Sequence, residues 1–200
     1  MSWYFDTENW ASGIWDGWAG SRAEVWREAM IDVRRKKVGP NAFRLMPQHM
    51  NNSSDFSFVV VGDPGEGDPS QHILKDQILS VSNKPDVEFV VISSDIVYPS
   101  AAMKDYERKF FLPFKGLKKP VYAIPGNHDW YDALEGFAAT FYTPDAARKA
   151  MAARIRSDLH ITSTNKKDIE RLVKQASFLK KEYDLPVGFQ NVPFFQVSTD

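Results

Sequence analysis

The sequence predicts an α/β fold built on a parallel sheet. Three short runs of β-branched and aromatic residues alternate with two segments of helical periodicity, in the order β-α-β-α-β. The runs are apolar at consecutive positions, which is typical of strands buried on both faces of a parallel sheet. Each helix then forms a right-handed crossover between neighbouring strands.

The predicted strands are residues 56–61, 87–92 and 121–124, and the first and third end at glycine-containing turns. The helix between the first two begins at Asp68 and Pro69, which are favoured at the N-cap and first helical positions. The next helix begins near Ser100 and ends at Pro113. The residues predicted to face inward are Leu74, Ile78 and Val81 in the first helix, and Met103, Tyr106 and Phe110 in the second.

The chain is predicted to be helical again over residues 131–192, as an insertion beside the sheet. Thr143-Pro144 predicts one helix start, and Asn165 or Thr164 predicts another. Residues 148–182 hold ten Lys/Arg and four Asp/Glu, a balance of 10 − 4 = +6, which indicates solvated helix faces or, alternatively, steering of an anionic substrate. Residues 193–198 read as a further strand at the very end of the chain, as expected for a domain cut short. The second helix has apolar residues at helical spacing, namely Ile169, Leu172, Val173, Ala176 and Leu179.

Residues 1–54 are predicted to form a separate helical appendage that carries five of the six tryptophans. Ser21 and Glu24 form a capping box ahead of an amphipathic helix, and residues 51–54 resemble a polar linker. The four cations of residues 34–37 permit peripheral membrane contact through residues 1–37. We favour the alternative that these cations complement the helix dipole while the tryptophans pack on the domain of residues 55–200.

Composition excludes several classes of protein. The 200 residues contain no cysteine, which rules out disulfide scaffolds, cysteine-ligated zinc, iron–sulfur clusters and thiol catalysis. A net charge of −1 gives no support to specific nucleic-acid binding. Neither a signal peptide nor a membrane-spanning run is visible, so a cytoplasmic location is expected.

Each predicted strand is followed by a side chain that can bind a metal ion. Asp63 follows the first strand, Asp95 the second and Asn127 the third, while Tyr98 and His128 add a phenol and an imidazole. The carboxyl ends of parallel strands share one edge, where open α/β sheets bind their ligands. Oxygen donors and an imidazole converging on one edge indicate a metal site. A nucleophile elbow and a phosphate-binding P-loop are both absent from the sequence.

These motifs resemble the calcineurin-like metallophosphoesterases, and specifically their purple acid phosphatase branch. The segments 62–65 (G-D-P-G), 94–98 (S-D-I-V-Y) and 126–129 (G-N-H-D) follow the branch's pattern in order. The spacings 95 − 63 = 32 and 127 − 95 = 32 each leave room for one crossover helix. The resemblance covers residues 56–130 and implies the βαβαβ half of a metallophosphoesterase sandwich.

The sequence departs from the family pattern at three points. Ser94 replaces a glycine, and Gly65 stands where the wider family has a histidine ligand. The later histidine motifs, which complete both metal sites in the family, are missing. The four histidines of the chain do not have the spacing of those motifs; they are His49, His72, His128 and His160.

The resemblance implies a site for two metal ions. Asp63 would bind the first ion and Asp95 would bridge both. Tyr98 would bind the first ion as a phenolate, and Asn127 would bind the second. A phenolate ligand at neutral pH favours Fe³⁺, with Fe²⁺, Zn²⁺ or Mn²⁺ as its partner, or else a pair of Mn²⁺ ions.

The resemblance also implies that His128 assists the leaving group and that Asp129 orients the histidine ring. Simpler interpretations stay open. Asp63, Asp95 and Asn127 are also common in turns and caps, Tyr98 could only pack on its neighbours, and Asp129 could cap a helix. Of the other candidates, Asp68 is expected to be an N-cap, and His72, His160 and Glu66 are weaker ligand candidates.

The predicted function is metal-dependent hydrolysis of a phosphorylated substrate of unknown class. The alternatives are a non-catalytic module that binds metal or phosphoryl groups, and an inactive fragment. Four protein ligands fall short of the roughly ten to twelve coordination positions of two hard cations. The 200-residue chain alone is therefore expected to be nearly inactive.

Overall fold

The computed structural model of the chain describes residues 44–45, 55–131, 134–157, 166–190 and 196–197, with the backbone alone at 44–45, 154–157 and 196–197. Its strands are β1 (Arg44–Leu45), β2 (Ser57–Val61), β3 (Val87–Ile92), β4 (Val121–Ala123) and β5 (Gln196–Val197). Its helices are α1 (Pro69–Ser82), α2 (Met103–Tyr106), α3 (Asn127–Tyr131), α4 (Glu135–Phe141), α5 (Pro144–Ser157) and α6 (Lys166–Tyr183). Helix α2 continues directly into a π-helix, Glu107–Phe111.

Strands β2, β3 and β4 form a parallel sheet in that order, which confirms the predicted α/β fold. The central strand β3 is almost wholly buried, and β4 is buried throughout. Strand β2 leaves Phe58 and Val60 exposed. The prediction that each strand is buried on both faces is therefore wrong for β2, because Phe58 and Val60 lie two residues apart on one face of the strand and that face is left exposed.

The short strands β1 and β5 pair in parallel, with Arg44 opposite Gln196. The strand predicted over residues 193–198 is thus present at Gln196–Val197. The pairing links the predicted appendage to the last residues of the chain, and the boundary at residue 54 stays a prediction.

Helix α1 begins where the sequence predicts. The Asp68 carboxylate accepts hydrogen bonds from the Ser70 and Gln71 amides, at 2.9 and 3.2 Å. The expectation that Leu74 and Val81 face inward is wrong, since they are 51% and 45% exposed. Gln71 occupies the buried stripe of the helix, and at about 100° per residue that stripe is rotated away from Leu74 and Val81.

The second crossover buries Met103, Tyr106 and Phe110, as predicted. Its start differs from the prediction, because the N-cap is Ala102 rather than Ser100 and no side chain caps the helix. After one turn the helix widens into the π-helix, whose Leu112 amide donates to the Glu107 carbonyl at 2.9 Å.

The C-terminal helices share one core with the sheet. The Thr143 hydroxyl accepts from the Ala146 amide at 3.3 Å, as expected for a cap of α5. All five predicted apolar residues of α6 are buried. The residues after α6 run along the free edge of β4, where the Val121 amide donates to the Pro186 carbonyl at 2.9 Å. The described part of residues 131–192 is therefore helical up to Tyr183 and then extends the sheet.

Some predictions concern residues outside the described ranges. They include the capping box at Ser21 and Glu24, the five N-terminal tryptophans, the cations of residues 34–37, the linker at 51–54, His160, and the choice between Thr164 and Asn165 as the start of α6. Among the helices that are described, none has both the length and the apolar character needed to cross a bilayer.

Candidate metal centre

Three loops leave the carboxyl ends of β2, β3 and β4 at one edge of the sheet. The strand ladder continues past the strands, because the Ser93 amide donates to the Val61 carbonyl at 2.9 Å and the Ile124 amide donates to the Ile92 carbonyl at 2.8 Å. These hydrogen bonds bring the residues after each strand side by side. We call the edge formed by residues 62–68, 93–100 and 125–131 the rim.

Two glycines let the rim loops pass close to one another. A Cβ atom on Gly65 would overlap the Ile96 carbonyl, and the Tyr98 amide donates to the Gly65 carbonyl at 3.0 Å. A Cβ atom on Gly126 would overlap the Asp95 carboxylate. The close approach of the second loop explains why a glycine, with no side chain, occupies position 65.

Asp95 joins the second and third loops. Its buried carboxylate accepts a hydrogen bond from the His128 amide at 2.9 Å. The Tyr98 phenol lies beside the same carboxylate. Asp95, Tyr98 and His128 therefore form one cluster at the rim.

Tyr98 lies in a strongly negative environment. Burial raises the pKa of its phenol well above the usual value, and the adjacent Asp95 carboxylate raises it further. The charges of Asp95, Asp63 and Glu66 act in the same direction. Without a bound metal ion, the phenol is therefore neutral. Asp63 is held in the left-handed backbone region, with φ of 48°.

The His128 ring is held on both sides. Its centroid lies 4.4 Å from that of the Tyr98 ring, and the Tyr131 ring packs edge-on at 4.9 Å. Nδ1 lies 2.7 Å from the Pro99 carbonyl oxygen. Because a carbonyl only accepts, we assign the proton to Nδ1, which leaves Nε2 to exchange a proton with a ligand. The exposed Asn127 amide donates to the Tyr131 hydroxyl at 3.2 Å.

The structure corrects the predicted role of Asp129. Its carboxylate accepts hydrogen bonds from the Ile96 amide at 3.0 Å and the Gly126 amide at 2.9 Å, so it ties two loops together. The Pro99 carbonyl, and not Asp129, contacts the His128 ring nitrogen. Burial raises the pKa of Asp129 to about 7, despite the opposing effect of the amide hydrogen bonds.

Two residues that support the rim were missed by the sequence analysis. The Lys109 ammonium donates to the Tyr98 carbonyl at 2.6 Å, and the Gln71 side chain donates to the Lys109 carbonyl at 2.8 Å. Lys109 follows Tyr106 by three positions, and this spacing was the available signal that it lies beside the buried stripe. A lysine in a helix of mixed polar and apolar residues gives no stronger indication that it is buried.

The candidate ligands fit a hard cation in their chemistry. Asp63, Asp95, Tyr98 and Asn127 offer oxygen donors, and the strongest influences on the Tyr98 phenol include three carboxylates but no cation. Within the described residues, no three His, Asp or Glu side chains come together as a metal-binding group. The set therefore depends on Tyr98 and Asn127 as well as the two aspartates.

Of the other candidate ligands, Asp68 already has a structural role. The Asp68 carboxylate is engaged as the N-cap of α1. His72 is exposed on the same helix, and His160 lies outside the described residues.

The sequence matches the calcineurin-like phosphoesterase family over residues 56–169, more than half of its length. The chain belongs to the calcineurin-like phosphoesterase family. Purple acid phosphatase 17 of Arabidopsis thaliana is 31% identical to it over 81 residues, which are 37% of this chain and 24% of that protein. The chain thus spans about a quarter of the length of this curated relative. No solved structure matches the chain significantly.

The comparisons confirm the family resemblance that the three motifs predict. The matched region begins at the first residue of the predicted first strand and extends beyond the third motif into the C-terminal helices. The calcineurin-like phosphoesterase region therefore includes α4 and α5 as well as the rim.

Proposed function

We propose that this phosphoesterase chain takes part in the metal-dependent hydrolysis of phosphate esters. The observation that carries the proposal is the cluster of Asp95, Tyr98 and His128 at the carboxyl edge of the sheet. Family membership and the similarity to a purple acid phosphatase support it. The substrate is a phosphorylated molecule whose class is open.

Asp63, Asp95, Tyr98 and Asn127 are the residues that would hold the metal. Asp95 is the best placed for two ions to share, because its loop lies between those of Asp63 and Asn127. A ferric ion with Fe²⁺, Zn²⁺ or Mn²⁺, or a pair of Mn²⁺ ions, suits these oxygen donors. Bound ions would supply Lewis acidity toward the phosphoryl group and toward water.

His128 is the residue proposed to move a proton. Its Nδ1 is fixed on the Pro99 carbonyl, so proton exchange is confined to Nε2. A protonated Nε2 donates to the leaving-group oxygen as the phosphorus–oxygen ester bond breaks. Tyr98 limits the rotation of the ring by packing against it.

A second candidate function is metal or phosphoryl binding without turnover. The observation that favours it is the small set of candidate ligands, because Asp63, Asp95, Tyr98 and Asn127 could hold one ion more readily than two. The two candidates differ in whether product forms, and the same assay distinguishes them.

Hydrolysis of p-nitrophenyl phosphate tests the proposal, with the 200-residue chain, from which little turnover is expected, and with any longer protein that contains it. We expect turnover that requires added metal and stops with EDTA, and a loss of about 10²- to 10⁴-fold in His128→Ala. The control is His72→Ala, at an exposed position of α1, which should keep full activity. Turnover that survives EDTA or the His128 substitution would contradict the proposal. Metal binding without product in either protein would favour the second candidate.

A further inference from the structure

We infer that Lys109 is a positioning residue. It holds the main chain of Tyr98 and thereby fixes the positions of the Tyr98 phenol and the His128 ring within the rim. Its effect on catalysis rests on the proposed function, whereas its effect on the geometry of the rim does not. The inference is carried by hydrogen bonds that link the first crossover, the second crossover and two rim loops.

The Lys109 side chain is buried, with 7% of its surface exposed. Within the described residues, the hydrogen bond of its ammonium is to the Tyr98 carbonyl, at 2.6 Å. Burying an ammonium group without a partner costs free energy. The hydrogen bond to the Tyr98 carbonyl offsets this cost and therefore stabilises the positions of both groups.

The Tyr98 backbone is consequently held on both sides. Its amide donates to the Gly65 carbonyl at 3.0 Å, and its carbonyl accepts from Lys109. The next residue, Pro99, provides the carbonyl that fixes the His128 ring. Displacement of the Tyr98 carbonyl would therefore move both the phenol and the acceptor of the histidine.

The π-helix places Lys109 where it can reach the rim. Pro113, four residues after Lys109, has no N–H to donate, and the Lys109 carbonyl instead accepts from the Gln71 side chain at 2.8 Å. Gln71 in turn accepts from the Gly67 amide of the first rim loop at 2.8 Å. These hydrogen bonds connect the Asp63 loop to the Tyr98 loop through Lys109. Local π-helical turns are frequent at functional sites.

Gly67 makes room for this lysine. It has a φ of +73°, and a Cβ atom there would lie 2.6 Å from the Cγ atom of Lys109. The first rim loop therefore lies directly on the alkyl part of the lysine. Lys109 contacts one rim loop through its stem and the other through its ammonium.

The test compares Lys109→Met, which keeps the length of the stem but removes the donor, with Lys109→Arg, which keeps a donor. Lys104→Met, at an exposed position of α2, is the matched control. The first measurement is the chemical shift of the His128 ring protons in the chain without added metal, assigned by their loss in His128→Gln. This ring reports on the rim because it packs against Tyr98.

We expect Lys109→Met to shift these resonances clearly, Lys109→Arg to restore them largely, and Lys104→Met to leave them unchanged. Unchanged His128 resonances in a folded Lys109→Met would overturn the inference. If that variant does not fold, Gln71→Met removes the anchor of the Lys109 carbonyl instead and should shift the same resonances. Unchanged resonances in this second variant would also overturn it.

The second measurement is kcat/KM in the protein that hydrolyses p-nitrophenyl phosphate. Loss of a residue that orients metal ligands typically costs about 10- to 100-fold, and we expect that loss in Lys109→Met with recovery in Lys109→Arg. A shift of the histidine resonances in a protein that never turns over substrate would leave the positioning role intact and contradict only the proposed function. Full activity in Lys109→Met would contradict the positioning role alone.

Discussion

Gly62 and Gly65 are three residues apart in the first rim loop, yet their surroundings differ sharply. A Cβ atom at position 65 would overlap the backbone of Ile96, whereas the nearest atom to a Cβ at position 62 is the Ser93 hydroxyl at 3.9 Å. Backbone cannot move aside as a flexible side chain can. Position 65 therefore requires glycine for close packing, and position 62 does not.

The pair gives a matched prediction for stability. Gly65→Ala should lower the free energy of unfolding by about 1–3 kcal/mol, since it forces two loops apart. Gly62→Ala should stay within about 0.5 kcal/mol of the original protein. Urea denaturation monitored by circular dichroism measures both. Equal stability of the two variants would show that the loops are not in contact at Gly65.

Asp129 predicts a pH dependence of stability. Its pKa rises from 3.8 to about 7 on folding, chiefly through burial. Between these values the folded protein holds a proton that the unfolded chain has lost, so this group makes stability fall as the pH rises from about 4 to about 7. The full effect is of the order of 4 kcal/mol, since one pKa unit corresponds to about 1.4 kcal/mol.

Asp129→Asn removes this titration and should flatten the decline in stability over that range. The measurement is the midpoint of urea denaturation at several pH values in metal-free buffer. Asp76→Asn, at an exposed carboxylate of α1, is the control and should keep the original slope. Parallel slopes for the original protein and Asp129→Asn would contradict the raised pKa.

At the scale of the element, the neighbouring residues Phe178 and Leu179 of α6 lie on its exposed and its buried face. Leu179 is 2% exposed and packs in the main core, while Phe178 is 62% exposed. Leu179→Ala should destabilise the protein by about 2–5 kcal/mol through the cavity it leaves. Phe178→Ala should change stability by less than about 0.5 kcal/mol. Thermal unfolding of the two variants measures these changes. Equal losses of stability would show that the buried face of α6 is assigned incorrectly.

Elements with a strong local signal could be predicted from the sequence. The stripe of α6 and the N-cap at Asp68 depend on spacing and residue type within one helix, and both agree with the structure. The exposure of Leu74 and Val81 could not be predicted in this way. Whether an apolar flank is covered depends on distant segments, and β2 is an edge strand in the described sheet.

The same limit applies to the π-helix and to the end of the sheet. Residues 107–111 have the periodicity of an ordinary helix, and nothing local indicates the wider turn. The Gln190 side chain pairs with both the amide and the carbonyl of Ala123, at 3.0 and 2.6 Å. A side chain that takes the place of a strand is a long-range contact with no signature in the sequence.

At the scale of the whole molecule, topology made the candidate site predictable. Three parallel strands in sequence order bring their following loops to one edge, so the position of each motif after a strand was sufficient. The hydrogen bonds within the rim were not predictable. Asp129 was predicted to orient the His128 ring, and Lys109 was not identified. Both side chains instead bond to backbone groups that are distant in the sequence, namely the Ile96 amide and the Tyr98 carbonyl.

We propose that the rim binds a metal ion through Asp95. The most direct test is the anomalous difference map of crystals of the chain grown with Zn²⁺, with data collected at the zinc absorption edge. We predict a peak about 2.0–2.2 Å from an Asp95 carboxylate oxygen, with Asp63, Tyr98 or Asn127 completing its contacts, and no such peak in Asp95→Asn crystals. Zinc bound only at surface carboxylates away from the rim, with no peak beside Asp95, would contradict the claim.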